Sequence, residues 1–293
     1  MVKVGIMNYV NSYGEFIRIR NKNMCISLDG AGTNILVIFP CFNSPSPILE
    51  AKALVSFLSR KYKVVTVEGF GNGQSDIPDT ERTPENISDE IHDLLQKLNF
   101  TYYSVISDIP MELYSLYYVQ KYSDEVKAFI MIDMCSSELL FRQKNLIHKI
   151  FWIKSRYMFG NLELIKNYIR LSAKRTLLDV KGYAYSDQDI NIYALLAVLQ
   201  LSNKAFVDRV CKFKKNCQLA KDMSITVSVD SMLLISEKTE QLFNKYELSA
   251  KNIFFKNIFK KVILKGRGKI HLKYPEQVAD EIDKFLLNSI KGL

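Results

Sequence analysis

The sequence predicts an α/β protein whose central sheet is mostly parallel, with helices on both faces. Short apolar runs alternate with helical patterns after residue 34. Between residues 135 and 224 the alternation gives way to aromatic-rich, basic helical patterns, and strand-like runs return afterwards. Alternation of strand and helix is typical of a parallel sheet. We therefore expect a core of residues 1–134 and 225–293, with residues 135–224 inserted as a helical cap.

The apolar runs of the core are too short for helices and are typical of strands buried on both faces. They lie at residues 35–39, 64–67, 104–106, 129–132, 231–235 and 261–264. Earlier in the chain, residues 15–20 and 24–28 alternate between polar and apolar on either side of Asn21-Lys22-Asn23. This pattern predicts an antiparallel hairpin at the edge of the sheet.

Helical patterns fill the stretches between these strands. They lie at residues 50–61, 83–98, 111–122, 190–201 and 275–287. The second begins with Thr83-Pro84-Glu85, an N-cap residue followed by proline at the first helical position. Residues 190–201 are the most apolar part of the insertion, and we expect them to pack against the core.

Composition limits the classes of function. With 48% hydrophobic residues in a length of 293, the chain can bury a large core without metal ions or disulfides. The five cysteines include no C-x-x-C pair, which argues against a disulfide framework and a zinc site. No apolar run approaches the roughly 20 residues that cross a bilayer, and the N-terminus lacks a signal-peptide pattern. We expect a cytoplasmic protein with no metal and no cofactor.

The net charge of +9 could indicate an anionic partner. The lysines are scattered, however, with short clusters at residues 212–215 and 256–261 and no long basic tract that includes aromatic residues. This distribution disfavours nucleic-acid binding and favours a basic rim around a pocket for a small molecule.

Three segments of the chain resemble the α/β-hydrolase family. Residues 67–76, VEGFGNGQSD, resemble the strand-then-turn motif of that family, in which an acidic residue precedes G-x-G-x-S. Residues 121–133 resemble the following helix end and strand, and residues 271–287 resemble the closing segment. The resemblance covers the core and leaves the cap unmatched. It implies an α/β-hydrolase fold and a nucleophile, histidine and acid at defined positions.

The family's nucleophile lies on a tight turn with the pattern G-x-S-x-G. Here the turn contains Ile109 at the nucleophile position and Pro110 after it, so both the nucleophile and a backbone N–H for the oxyanion are missing. A shift of register would make Ser107 the nucleophile, or Asp108 as in dehalogenase-like members. The alternative interpretation gives Ser107 a backbone hydrogen bond at the strand end and makes Asp108 a helix cap.

The family's histidine is expected after the last strand, in the loop GRGK at residues 266–269. Lys269 occupies its position. His271 matches a second, non-catalytic histidine of the family, but it would reach the site if the loop were one residue shorter than usual. A partly buried loop histidine is the alternative interpretation.

The family's acid position after the seventh strand holds Thr239, with Glu237 and Glu240 nearby. Some members place the acid after the preceding strand, which makes Asp133 or Glu138 the candidate. A strand-end aspartate that caps the entry to the insertion is the alternative for Asp133.

The loop that usually begins with His-Gly and forms part of the oxyanion hole contains Cys41 and Phe42 instead. We expect these two residues and Asp108 to line the pocket. A catalytic role for the Cys41 thiol would need a neighbouring base and a positive environment, and the sequence indicates neither.

Three hypotheses follow. In the first, the chain is a weak hydrolase of small esters, thioesters or amides that uses Ser107, His271 and Asp133. In the second, it has lost catalysis and binds a small, perhaps anionic, ligand through Lys269 and Arg267, or a protein partner. A third, less favoured hypothesis is a surface that binds membrane or nucleic acid through lysines.

Overall fold

The strands form one mixed sheet in the computed structural model, which describes residues 13–40, 44–108, 112–133, 163–222, 227–245 and 259–290. The sheet has eight strands within these ranges, in the order β1-β2-β4-β3-β5-β6-β7-β8. Their bounds are β1 Glu15–Ile19, β2 Lys22–Asp29, β3 Ile35–Ile38, β4 Lys63–Glu68, β5 Tyr103–Asp108, β6 Val126–Ile132, β7 Asp230–Ser236 and β8 Phe259–Leu264. The β1–β2 and β2–β4 pairs are antiparallel, and the remaining pairs are parallel.

Helices connect and cover these strands. We number them α1 Pro47–Leu58, α2 Pro84–Lys97, α3 Glu112–Lys121, α4 Glu163–Leu178, α5 Asp187–Leu199, α6 Lys204–Asp222, α7 Glu237–Lys245, α8 Ile270–Lys273 and α9 Pro275–Ile290, with a 3₁₀ turn between α5 and α6. The Thr83 hydroxyl caps α2 by accepting a hydrogen bond from the Asn86 amide at 3.2 Å, as the sequence predicts.

Both faces of the sheet are covered. Helices α2, α3 and α6 contribute buried side chains to one hydrophobic cluster with the strands, and α1 and α9 contribute to another. Parallel strands buried on both faces have apolar side chains at nearly every position, which explains the short continuous apolar runs. The predicted fold class, a mostly parallel sheet with helices on both faces, is confirmed.

The predicted edge hairpin is also confirmed, with a shorter turn than expected. Strand β2 begins at Lys22, and the turn consists of Arg20 and Asn21, whose φ angles are 47° and 64°. Two central residues with positive φ are typical of the type I′ turns whose twist matches that of a hairpin.

The segment predicted as a cap contains three described helices, α4, α5 and α6, between β6 and β7. Side chains of α4 and α5 pack with Leu49 and Ala53 of α1 in a third hydrophobic cluster. The insertion therefore contacts the core near the start of α1.

No single helix among the described residues is long and apolar enough to cross a bilayer. Residues 187–202 and 204–216 pass that test only as a pair, which is bent by 64°.

Candidate active site

Asp108 and His271 meet at the carboxyl edge of the parallel strands. Asp108 is the last residue of β5, which extends two residues beyond its predicted end. His271 lies in the short helix α8 and is 5% exposed. Its Nδ1 is 3.4 Å from Asp108 Oδ2, and within the described chain Nδ1 makes no hydrogen bond. The contact is therefore an ion pair whose geometry leaves the nitrogen unsatisfied.

A second carboxylate, that of Glu50, faces the other nitrogen of the His271 ring. Glu50 Oε1 is 3.8 Å from Nε2, which is too long for a hydrogen bond. Glu50 lies in the first turn of α1 and is 3% exposed. It accepts hydrogen bonds from Lys269 Nζ at 2.7 Å and from the Tyr193 hydroxyl at 2.8 Å. Tyr193 belongs to α5, so the insertion and the core share this carboxylate.

The charges of this cluster shift each other's pKa values. Burial opposes ionisation of Glu50, but the positive charges of Lys269 and His271 outweigh it, and the pKa of Glu50 is well below its ordinary value. Burial likewise disfavours protonated His271, yet Asp108 and Glu50 raise its pKa above the ordinary 6.5. Protonated His271 and Lys269 thus balance the two carboxylates. We call these four residues the Glu50 cluster.

The loop before α8 has an unusual backbone. Lys269 adopts the left-handed conformation, with φ 49° and ψ 46°, immediately before α8 begins. That backbone conformation is uncommon for residues other than glycine, asparagine and aspartate. It directs the chain into α8, where His271 is buried while Lys269 keeps half of its side chain exposed. Position 269, where the resemblance predicts a histidine, holds a lysine. His271 nevertheless places an imidazole at the edge of the sheet.

Ser107 lies beside a different partner. Adjacent strand residues project to opposite faces of a sheet, so Ser107 and Asp108 diverge. The Ser107 hydroxyl is 3% exposed and accepts a hydrogen bond from Ser115 of α3 at 2.8 Å. The described contacts bring Asp108, rather than Ser107, to His271. The catalytic role of Ser107 remains a prediction.

Asp133 joins the ends of three elements. Its backbone has φ 51°, and its side chain is fully buried. Oδ1 accepts hydrogen bonds from the Ser236 amide at 2.8 Å and the Thr239 hydroxyl at 3.0 Å, while Oδ2 accepts one from the Ile270 amide at 3.3 Å. Asp133, a candidate for the acid, is therefore bonded to Thr239, which occupies the position where the resemblance predicts an acid. Through the amide of Ile270, Asp133 holds the backbone next to His271, and its role as an acid remains a prediction.

Several predicted residues take no described part in the cluster. Glu237 accepts a long hydrogen bond from the Gly266 amide at 3.4 Å, and Glu240 pairs with Lys261 at 2.6 Å. Cys41, Phe42, Ile109, Pro110 and Glu138 lie outside the described residues.

Glu50 is the participant that sequence reasoning missed. Its pattern, PILEAKALVSFL, contains one acid among apolar residues in the first turn of a helix. An acid there is ordinarily explained by the helix dipole, which favours negative charge at the N-terminus. The signal that could have found it is its position on the side of α1 that is otherwise apolar.

The glycine-rich motif builds a second buried carboxylate, that of Glu68 at the end of β4. Its oxygens accept hydrogen bonds from the Tyr13 hydroxyl at 2.9 and 3.0 Å, the Gln74 amide at 2.8 Å and the Ser46 hydroxyl. Burial raises the pKa of Glu68 to about 7, although these donors lower it in part. Ser46 also caps α1 by accepting from the Leu49 amide at 3.2 Å. We call Glu68, Tyr13, Ser46 and Gln74 the Glu68 cluster.

Glu50, Asp108 and His271 are also the described residues that could hold a metal ion, since one ligand atom from each lies within 4.8 Å of the others. Two carboxylates and an imidazole suit several divalent ions. However, the carboxylates face opposite ring nitrogens, and the Lys269 ammonium already hydrogen-bonds Glu50 Oε1. This arrangement fits an ion-pair network better than a metal centre.

A cavity of about 170 Å³ lies between the insertion and the core. Its walls include Pro45 of the core and residues of α4, α5 and α6, among them Ile169, Ala173, Tyr193 and Phe206. Most of this lining is apolar. The Tyr193 ring lines the cavity while its hydroxyl donates to Glu50, so the cavity adjoins the Glu50 cluster.

Comparison with known proteins agrees with this architecture. No protein-family model matches the chain. YbdG of Bacillus subtilis, an uncharacterised protein, is 25% identical over 122 residues, which are 41% of this chain and 38% of YbdG. The matched part is thus well under two thirds of that relative.

Solved structures match over nearly the whole chain. Epoxide hydrolase A of Mycobacterium thermoresistibile superposes with a TM-score of 0.73 at 12% identity, covering 94% of this chain and 98% of that one. An epoxide hydrolase of Vigna radiata gives 0.71 at 14% identity over 94% and 98%. A haloalkane dehalogenase variant of Bradyrhizobium elkanii gives 0.65 at 10% identity over 95% and 97%. The chain has the α/β-hydrolase fold.

Proposed function

We propose that this chain is a hydrolase in which Asp108 is the nucleophile and His271 is the general base. The observation that carries the proposal is the 3.4 Å separation of Asp108 Oδ2 and His271 Nδ1 at the end of a central parallel strand. In sheets of this kind, ligands bind beyond the carboxyl ends of the strands. The Asp108 side chain is 13% exposed, so part of the carboxylate remains accessible.

A carboxylate nucleophile suits a saturated carbon that bears a leaving group. Asp108 attacks that carbon, a carbon–oxygen bond forms, and the bond to the leaving group breaks with its electron pair. The product is an ester of Asp108. His271 then takes a proton from water while the water oxygen attacks the ester carbonyl. The tetrahedral intermediate then expels the alcohol, whose oxygen takes the proton held by His271. The Asp108 carboxyl group, which now contains one oxygen from water, releases its remaining proton to solvent and returns to the carboxylate.

Epoxides and haloalkanes are substrates of this class, and the proteins that superpose on the chain include epoxide hydrolases and a haloalkane dehalogenase. Esters, thioesters and amides would instead call for a hydroxyl or thiol nucleophile such as Ser107. Because the described contact of Ser107 is to Ser115, we favour the substrate class that needs a carboxylate.

Within this proposal, Glu50 and Lys269 keep the imidazole in place. Only neutral His271 can accept a proton from water, and its pKa lies above the ordinary 6.5. Turnover is therefore expected to rise with pH as His271 loses its proton. We also propose that residues 135–224 form the cap over this site and that the protein acts in the cytoplasm.

Trapping the ester intermediate tests the proposal. Styrene oxide and 1-bromobutane serve as probes, and intact mass is measured after brief exposure. His271→Gln is expected to accumulate a covalent adduct that peptide mapping assigns to Asp108, since water can no longer be activated. Asp108→Asn is expected to lose both turnover and adduct, while Ser107→Ala retains both.

Labelled water gives an independent check. A single turnover of the unaltered protein in ¹⁸O-water is expected to place ¹⁸O in the Asp108 carboxylate. Turnover that survives in Asp108→Asn, or that disappears in Ser107→Ala, would overturn the assignment of the nucleophile.

A non-catalytic binding protein is the second candidate. The observation that favours it is the Lys269–Glu50 pair at 2.7 Å, because a cluster whose charges satisfy one another resembles a structural network. With Arg267 exposed nearby in the loop, Lys269 would present a basic surface to a small anionic ligand. Absence of turnover and adduct in every protein above, with saturable binding of inorganic phosphate that weakens in Lys269→Met, would support this candidate.

A further inference from the structure

The outward face of α4 carries an apolar stripe that the described part of the fold leaves exposed. Its large side chains Leu164, Tyr168, Leu171 and Leu178 are 85%, 66%, 59% and 63% exposed. Their spacing of four, three and seven residues places them on one side of the helix. The described residues include ten large apolar side chains that are 39% or more exposed, and the four most exposed all belong to this one helix. The stripe is therefore a concentration, not a scatter of single side chains.

The inward face of α4 is already occupied. Ile169, Ala173 and Leu177 are buried in the hydrophobic cluster that joins the insertion to α1. Packing of this face accounts for the position of α4 on the protein. The outer stripe needs a separate explanation, because leucine side chains left in solvent gain none of the free energy of apolar burial.

The charges of α4 identify the kind of surface that fits the stripe. The helix contains four basic residues, Lys166, Arg170, Lys174 and Arg175, and one acidic residue, Glu163. Arg175 is exposed and lies along the stripe, and the side chains of Lys166, Arg170 and Lys174 are partly exposed beside it. An apolar stripe bordered by basic residues is complementary to a surface that has an anionic outer layer and an apolar interior.

We propose that α4 docks the protein on an anionic lipid bilayer, with its leucines and Tyr168 below the headgroups and its basic residues among the phosphates. Amphipathic helices rich in lysine and arginine bind bilayer surfaces in this orientation. A second copy fits less well, because pairing two such helices brings their basic residues together. Nucleic acid would leave the leucines without apolar partners.

The docking surface is independent of Asp108 and His271, so it stands whatever reaction the cluster supports. It also has a geometric consequence. Ile169 and Ala173 line the cavity from the inner side of the same helix, so docking brings the cavity within about one helix diameter, roughly 10 Å, of the bilayer.

Co-sedimentation of the full chain with lipid vesicles tests the proposal. Vesicles of equal parts phosphatidylglycerol and phosphatidylcholine are compared with vesicles of phosphatidylcholine alone. We expect binding to the anionic vesicles that weakens about tenfold or more as NaCl rises from about 0.05 M to about 0.5 M, because added salt screens the basic residues. This measurement uses the unaltered protein and needs no variant that folds.

Two variants separate the stripe from the charges. Leu164→Gln with Leu171→Gln is expected to reduce anionic-vesicle binding about tenfold or more, and Lys174→Gln with Arg175→Gln is expected to do the same. Leu219→Gln with Leu287→Gln, which alters leucines exposed by 39% and 50% on other helices, is the matched control and should bind as the unaltered protein does. Circular dichroism and thermal melting establish that each variant is folded.

Three results would overturn the proposal. They are equal affinity for both vesicle types, a stripe variant that binds like its control, and no binding to anionic vesicles at low salt. Sedimentation equilibrium adds a fourth, since a dimer that dissociates in the Leu164→Gln, Leu171→Gln variant would assign the stripe to self-association.

Discussion

Glu50 and Glu68 are both buried glutamates, with 3% and 0% of their surfaces exposed, yet the charges of their partners differ. Glu50 faces Lys269 and His271, whereas the hydrogen bonds described for Glu68 come from neutral donors, the hydroxyls of Tyr13 and Ser46 and an amide. The pKa of Glu50 is correspondingly lowered, while burial raises that of Glu68 to about 7.

Burial alone therefore does not determine whether a carboxylate is charged. At Glu68 the neutral donors offset only part of the cost of burying the charge, whereas at Glu50 the nearby cations more than offset it. The Glu50 cluster therefore keeps charges at the edge of the sheet near neutral pH, as a reactive or binding site requires. The Glu68 cluster is built to hold the glycine-rich turn in place, whichever form its carboxyl group takes.

Helix α1 joins the two clusters. The Ser46 hydroxyl caps its N-terminus and also donates to Glu68, and Glu50 projects from the first turn toward His271. A change that disturbs the Glu68 cluster is therefore expected to displace the first turn of α1. Substitutions at matched positions beside the two carboxylates test this difference in their surroundings.

The largest effect is expected from substitution of the glycine that precedes Gln74 of the Glu68 cluster, compared with the glycine that precedes Lys269 of the Glu50 cluster. Gly73 and Gly268 both have a φ of 49°. A Cβ at Gly73 would overlap the Glu68 carboxyl group, whereas a Cβ at Gly268 would meet nothing within 4 Å. We expect Gly268→Ala to lower the free energy of unfolding by about 1–2 kcal/mol from backbone strain alone, and Gly73→Ala by about 2–5 kcal/mol because of added steric overlap.

Urea unfolding followed by circular dichroism measures both variants. Gly182→Ala is a second control, since Gly182 has a φ of 72° and no neighbouring atom within 4 Å of an added Cβ. Equal losses in all three variants would mean that the Glu68 carboxyl group moves aside readily for an added Cβ and would contradict the expected steric overlap.

A smaller effect is expected from pH. The pKa of Glu68 is raised from 4.5 to about 7, so between these values the folded protein holds a proton that the unfolded chain releases. Stability contributed by this group therefore falls as pH rises from about 4.5 to about 7 and is level above that, with a ceiling of about 3 kcal/mol. Glu68→Gln should remove this dependence.

Comparison of urea unfolding at pH 5 and pH 8 isolates this contribution. The unaltered protein should lose more stability between the two conditions than Glu68→Gln does. His271, whose pKa is raised above 6.5, also loses its stabilising contribution as pH rises, but it does so in both proteins. Identical pH dependence in the two proteins would contradict the assignment to Glu68.

The order of strands and helices could be predicted from the sequence, because each element has a characteristic spacing of apolar residues or a capping residue. The run at residues 35–39 became β3, and Thr83 capped α2, since apolar continuity and an N-cap act over a few residues. The end of β5 was less accessible. Ser107 and Asp108 are polar, so the apolar run stops before them, but pairing with β6 continues to Ile132.

The partners within the site could not be predicted in the same way, because they come from distant parts of the chain. His271 and Asp108 were each proposed from the resemblance, but their contact depends on how α8 packs beside β5. Glu50 gave only a weak sign of its role, its position on the otherwise apolar side of α1, because its partners Lys269 and Tyr193 are distant in sequence. The contact between Asp133 and Thr239 likewise depends on the pairing of β6 with β7.

The smallest effect is expected from the two tyrosines that donate to the glutamates. Tyr193→Phe removes a hydrogen bond to ionised Glu50, and Tyr13→Phe removes one to Glu68, which at pH 6 is mostly protonated. A hydrogen bond to a charged group contributes about 1.5–3 kcal/mol and one to a neutral group about 0.5–1.5 kcal/mol. At pH 6 we therefore expect Tyr193→Phe to be the more destabilising by about 1 kcal/mol. Raising the pH to 8 ionises Glu68 and should bring the two losses together, measured as urea unfolding free energies; a difference that does not change with pH would mean that the charge of Glu68 does not determine the strength of its bond to Tyr13.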